Sequence, residues 1–132
     1  MKYLLDTSTC IDIIKKKSQA VFAKLKGLEV GEVGVSAITY AELEYGVANS
    51  NDPPKNRLAL TEFLGPLEIM DFPSQVAPLY GILRASLVRS GKIIGPFDLL
   101  IASHAIYLRA ILVTSNIKEF SRVPELQIDN WV

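Results

Sequence analysis

Short apolar runs alternate with longer segments of helical periodicity along almost the whole chain, and few folds accommodate that alternation. Lys2 to Leu5 is an apolar run ended by Asp6 and reads as a buried strand. Thr7 or Ser8 then caps a helix reaching about Ile14. Ser18 opens a second helix, with Val21, Phe22 and Leu25 at helical spacing and Gly27 as its stop. Val33 to Ile38 is rich in β-branched residues, as a strand should be. Thr39 caps the next helix, and Glu42 completes a T-x-x-E capping box. Asn49 to Pro54 is a polar turn, Lys55 to Leu64 a helix, and Gly65-Pro66 its end. Glu68 to Phe72 is a third strand, and Pro73 starts a long amphipathic helix to about Ser90. After a hinge-like Gly91 to Gly95, Pro96 is the first residue of another helix, with Asp98 in its first turn. Ala110 to Thr114 is a fourth strand, and Leu126 to Ile128 a last extended piece.

Strands separated by helices imply a parallel sheet covered on both faces. The expected fold is therefore α/β, a three-layer α/β/α sandwich with a mostly parallel sheet of four or five strands. At 132 residues the chain is long enough for one domain with a real core, spanning 1–132. The apolar run before Asp6 is too short for a signal peptide. The uncharged stretch Leu99 to Leu108 is too short to cross a bilayer, which takes roughly 20 residues. A cytoplasmic protein without membrane contact is expected. Cys10 is the one cysteine, which excludes an internal disulfide and a cysteine-based zinc site and leaves a small buried hydrophobe. The formal net charge is zero, so any attraction to RNA must come from local patches or from metal–phosphate contacts.

In such sheets ligands bind beyond the carboxyl ends of the strands. Four oxygen-bearing side chains fall there or at helix starts: Asp6 and Asn116 follow strands, and Glu42 and Asp98 lie in first helical turns. A purely structural account exists for two of them. Glu42 and Asp98 would each favour a helix dipole by about 0.3–1 kcal/mol, and Glu42 has its capping box as well. Asp6, ending the first buried strand, is harder to explain that way. Small residues nearby (Gly46 after Glu42, Ala102 and Ala105 after Asp98) would let two helices approach and aim both carboxylates at one point. Carboxylates about 4 Å apart repel by about 4 kcal/mol at an effective dielectric constant of 20. The cluster needs a cation or shared protons, and hard oxygen donors favour Mg²⁺ or Mn²⁺ over zinc.

The stretches LLDTST, ITYAELEYG, GPFDLLIASHA and ILVTSNIKEFSRVPELQIDNWV occur in the order and spacing of one family. By these the chain resembles the PIN-domain ribonucleases, in particular the VapC-type toxins of toxin–antitoxin pairs. The resemblance spans essentially the whole length. It implies a metal-dependent endoribonuclease that inhibits translation, with Asp6, Glu42 and Asp98 in the acidic metal-site roles. The fourth position departs from the pattern: where many relatives carry aspartate, Asn116 stands, and Glu119 could supply the carboxylate instead. Thr7 and Thr114 would orient water or carboxylates. The implied mechanism needs no protein nucleophile, since water activated at the metal attacks phosphorus. The resemblance also implies a homodimer, a small antitoxin partner that blocks the acidic groove, and structured RNA substrates. Among these, tRNA anticodon loops come first and a ribosomal RNA loop second, as exposed single-stranded backbone is the most readily attacked.

Other residues have more modest readings. His104 is the one histidine, which excludes a two-histidine acid–base ribonuclease. It lies about 240° around its helix from Asp98, facing away from the metal, in a packing or surface role. Lys15, Lys16 and Lys17 suit the end of a helix dipole, or else contact RNA backbone, with Arg84, Arg89 and Lys92 as weaker candidates. Tyr40, Leu43, Tyr45 and Leu60 serve either the core or a partner interface. Two rival functions remain. A non-cleaving PIN-like module that binds RNA or protein is consistent with Asn116. A receiver-type phosphoryl-accepting domain would use Asp71, but Thr7 rather than a second acid follows Asp6, and no lysine follows the last strand.

Overall fold

The computed structural model describes residues 1–16 and 19–131. The expectations for Lys17 and for Ser18 as a helix start lie outside them. Strand β1 (Tyr3–Leu5) is wholly buried, and its three side chains alternate between two cores. Tyr3 and Leu5 join Val33, Val35 and Val113 beneath Ile13, Leu43 and Leu60, whereas Leu4 joins Leu112 against Leu83, Leu87, Leu99 and Ile101. Those two clusters are the two interfaces of a three-layer sandwich.

Helix α1 (Thr7–Ile14) and then α2 (Gln19–Lys26) lead to β2 (Val33–Ser36) and α3 (Ala37–Ala48). Helix α4 (Pro53–Leu64), β3 (Glu68–Met70) and α5 (Val76–Arg89) follow. The chain closes with α6 (Pro96–Leu108), β4 (Ile111–Val113), the single turn α7 (Ile117–Phe120) and β5 (Ile128–Asp129). All four strand pairs are parallel, in the order β3-β2-β1-β4-β5. The chain moves outward to one side of β1 and then returns to build the other, so the order reverses between β1 and β4. In open α/β sheets the crevice beyond that reversal is where ligands bind. Gly34 is required within this sheet, because a Cβ there would stand 2.7 Å from the Glu68 carbonyl oxygen. Among the described residues no helix is long and apolar enough to cross a membrane.

Several boundaries differ from expectation for one reason, which is how caps are chosen. Helix α1 is capped by Asp6, whose Oδ1 accepts from the Thr9 amide at 2.8 Å, rather than by Thr7 or Ser8. Helix α3 is capped by Ser36, whose Oγ accepts from the Ile38 amide at 3.1 Å. Strand β2 therefore ends at Ser36, and Thr39 lies inside the helix. The T-x-x-E capping box does not form, and Glu42 stands in the second turn of α3. Asp52 caps α4 and draws Pro53 and Pro54 into its first turn, where the missing N–H is harmless. Strand β3 ends at Met70 rather than Phe72, and α5 begins at Val76 rather than Pro73.

Candidate metal centre

Asp6 leaves the end of β1 almost entirely buried, at 2 % exposure. Its own amide donates to the Val113 carbonyl at 3.0 Å, tying it to β4. Burial lifts its carboxyl above the ordinary range, against the hydroxyls of Thr114 and Thr9 and the Thr9 amide, which favour the charged form. Thr114 reaches it from the end of β4 while its Oγ1 accepts from the Asn116 amide at 2.9 Å. The cap uses Oδ1, so Asp6 is at once a helix cap and a carboxylate at the sheet edge.

Glu42 comes from α3, partly buried. Its Oε1 accepts from the Thr7 hydroxyl at 2.6 Å, and Thr7 is in turn 3.2 Å from the hydroxyl of fully buried Thr39. With the capping box gone, the local structural explanation for Glu42 goes too. The side chain is held across the sheet edge by the first residue of α1, not by its own helix terminus.

Asp98 is in the first turn of α6, half-buried. Its carboxyl is pushed up to about 7, first by burial, then by a hydrogen bond with Glu119 and by the charges of Glu119, Glu42 and Asp6. Two carboxyls this close favour a proton between them, and the neighbouring charges oppose its loss. Glu119 is fixed from two sides: Oε2 accepts from the Asn116 side-chain amide at 2.9 Å, and Oε1 from the Gly95 amide at 3.3 Å. Asn116 thus donates to Glu119, and Glu119 is the carboxylate that acts on Asp98.

Four acids from four elements thus act on one another at the sheet's point of reversal. Among the described residues no three of them already stand as a finished ligand set for a metal ion. The donors nevertheless fit a hard cation that keeps part of its water shell, because Mg²⁺ is usually held by only one or two carboxylates. The elevated Asp98 carboxyl is what such a cluster should show when protons balance its charge.

Residues expected elsewhere separate cleanly. Lys15 and Lys16 lie at the far end of α1, about 14 Å or more along the helix axis from Asp6. Lys15 does line a groove of about 580 Å³ that also touches Glu42, Leu43, Gly46 and Asn49. Leu43 and Leu60 are core residues, whereas Tyr45 is exposed. Asp71 follows β3, two strands and so about 10 Å across the sheet from β1. That placement removes the shared aspartate site a receiver domain needs. Cys10 is buried and its thiol pushed well up, hence inert. Reading the sequence overlooked Thr9 and Thr39. The D-x-x-T spacing from Asp6 to Thr9 was the available signal for the first, whereas the T-x-x-E spacing that marked Thr39 pointed to a cap rather than to the bond with Thr7.

The family model for the PIN domain matches residues 3–126. The chain is 46% identical to ribonuclease VapC2 of Rickettsia felis over 132 residues, covering 99% of this chain and 98% of that one. It is 37% identical to the tRNA(fMet)-specific endonuclease VapC of Salmonella typhimurium over 131 residues, again covering 99% and 98%. Among solved structures it resembles VapBC2 from Rickettsia felis bound to a DNA fragment from their promoter, with a TM-score of 0.94, 44% identity and full coverage of both chains. DNA-bound VapBC from Salmonella typhimurium gives a TM-score of 0.94 at 37% identity, covering 100% of this chain and 99% of that one.

Proposed function

Because the chain belongs to the PIN-domain family, among the VapC ribonucleases, we propose that it is the toxin of a toxin–antitoxin pair and a Mg²⁺-dependent endoribonuclease, with Mn²⁺ a workable substitute. The observation that carries this is the cluster of Asp6, Glu42, Asp98 and Glu119, in which burial first, and then the three neighbouring carboxylates, push the Asp98 carboxyl up to about 7. Asp6 and Asp98 would hold the ion, with Glu42 and Glu119 near it directly or through water. When bound, the ion supplies charge neutralisation at a phosphate and a lowered pKa for water.

This chain's own groups do the remainder. Thr7 holds Glu42, while Thr114 and Thr9 favour the charged form of Asp6 against its burial. Asn116 and Gly95 orient Glu119. A carboxylate near the ion that does not itself hold it, Glu42 or Glu119, would be placed to take the proton released as water attacks phosphorus. The name of the Salmonella relative makes an initiator tRNA the first substrate to try. The relatives solved as VapBC complexes support an antitoxin partner, for which the groove beside Glu42 and Lys15 offers a seat. We also expect a homodimer.

Incubating the purified chain with total tRNA and mapping new ends tests the reading. Cleavage that needs Mg²⁺, stops with EDTA and falls at least 100-fold in Asp6→Asn is expected. Cleavage indifferent to EDTA, or equal in Asp6→Asn, would overturn it. Binding of tRNA without any cleavage would instead establish the non-cleaving module.

A further inference from the structure

Outside the acidic cluster, one buried polar pair joins the two helices that carry Glu42 and Asp98. His104 Nδ1 is 2.8 Å from Ser36 Oγ, and both residues are fully buried. Ser36 is the cap of α3, and its oxygen already accepts from the Ile38 amide. Its hydroxyl proton can go to Nδ1, in the tautomer that carries the ring's own proton on Nε2. Nε2 makes no hydrogen bond of standard geometry, although the Asp71 carbonyl lies close enough to favour a proton there. Phe72 stacks edge-on against the ring, with centroids 5.1 Å apart and planes at 67°, and so fixes its tilt.

A leucine or phenylalanine could fill this space and would leave no unpaired Nε2, but it would strand the buried Ser36 hydroxyl, so the histidine serves the bond to Ser36 and not packing alone. Glu42 follows Ser36 by six residues on α3, and Asp98 precedes His104 by six on α6. Each carboxylate stands about 9 Å along its helix from the pair. Any slip or roll of one helix against the other would change the Glu42–Asp98 separation directly. We propose that His104 is a positioning residue for the metal centre, locking α6 to the cap of α3 through Ser36 and so setting how Glu42 and Asp98 face one another. The proposal rests on the metal-site reading above.

The test uses the full chain and titrates Mg²⁺ by calorimetry and by thermal shift, with tRNA cleavage measured alongside. His104→Leu fills the space but removes the acceptor, and should raise the Mg²⁺ midpoint about tenfold or more, the usual range for a group that orients a ligand. His104→Asn keeps an acceptor near the Nδ1 position and should stay within about threefold of wild type. Ser36→Ala should resemble His104→Leu, and the double variant should be no worse than either, since both break one link. Asp52→Ala removes the cap of α4 and controls for lost stability; it should leave the midpoint unchanged. A wild-type midpoint in folded His104→Leu would overturn the proposal, as would multiplying effects in the double variant or equal impairment in His104→Asn. If His104→Leu does not fold, the comparison of Ser36→Ala with Asp52→Ala decides: equal midpoints overturn the link. Wild-type chain with no Mg²⁺ response would instead remove the metal-site reading on which the link depends.

Discussion

Replacing Asp98 by asparagine should make the metal-free protein more stable above pH 7 while making it worse at its task. The folded carboxyl titrates at about 7 against an ordinary 3.8. The folded state therefore holds a proton that the unfolded chain has already released, so stability falls as pH rises from about 4 through about 7. A difference of about 3 pH units corresponds to roughly 4 kcal/mol if the group were shielded from water. Asp98 is only half-buried, and solvent screening brings the expected penalty down to roughly 1–2 kcal/mol. An amide cannot ionise and still offers a donor to Glu119, so the substitution removes that penalty. For a domain of this size the gain is roughly 3–8 °C in melting temperature at pH 8. At pH 4, where the wild-type carboxyl is protonated in the folded state and half-protonated in the unfolded chain, the two proteins should melt within about 1 °C of one another. Thermal denaturation followed by circular dichroism in EDTA, at pH 4, 6 and 8, measures this. A variant that melts below wild type at pH 8, or a gain independent of pH, would mean that Asp98 is not repelled by its neighbours and that the acidic cluster has been misread.

Three further outcomes follow from the same geometry. The midpoint for Mg²⁺ should rise as pH falls below about 7, by up to about tenfold per pH unit, because the ion must displace the Asp98 proton; calorimetric titration at pH 6 and 8 checks this, and equal midpoints would contradict it. Thr7→Val removes the hydroxyl that donates to Glu42 and should lower tRNA cleavage by about 10–100-fold with the fold intact. Gly34→Ala should destabilise by about 2 kcal/mol in urea, because the new Cβ would press on the Glu68 carbonyl and force β2 from β3.

The layer order and the participating acids were legible because each rests on a local pattern. Buried β-branched runs, helical periodicity and a Pro at the first helical position give the elements, and the acids lie at their junctions. What misled was competition among equivalent caps. Ser36 and Thr39 can both cap a helix, and the sequence favours Thr39 because Glu42 completes a capping box with it. The choice of Ser36 depends on burial beside His104, a contact across 68 residues that no local pattern signals. Asp6 prevailed over Thr7 and Ser8 as the cap of α1 because β1 ends at Leu5 and delivers Asp6 to the turn. The ambiguity between Asn116 and Glu119 likewise needed coordinates. Their spacing at the start of α7 says they are neighbours, but only the coordinates show Asn116 donating to Glu119 and Glu119 acting on Asp98.

The arrangement of donors also explains which carboxyl takes up the proton. Asp6 is the most deeply buried of the four, so desolvation alone would make it the one held highest. It is instead supported by an amide and two hydroxyls. Glu42 receives the Thr7 hydroxyl, and Glu119 receives two N–H groups. Asp98, by contrast, is itself desolvated and has another carboxyl beside it, and both reward protonation rather than charge. Supporting three members with hydroxyl and N–H donors therefore gathers the strain of the cluster onto the fourth. A cation arriving there would relieve the repulsion within the cluster by displacing the Asp98 proton. On this account Asp98 should be the residue whose carboxyl resonance responds most to Mg²⁺ in a carbon-detected NMR titration, ahead of the more buried Asp6. If Asp6 responds first, burial rather than the pattern of donors governs the site.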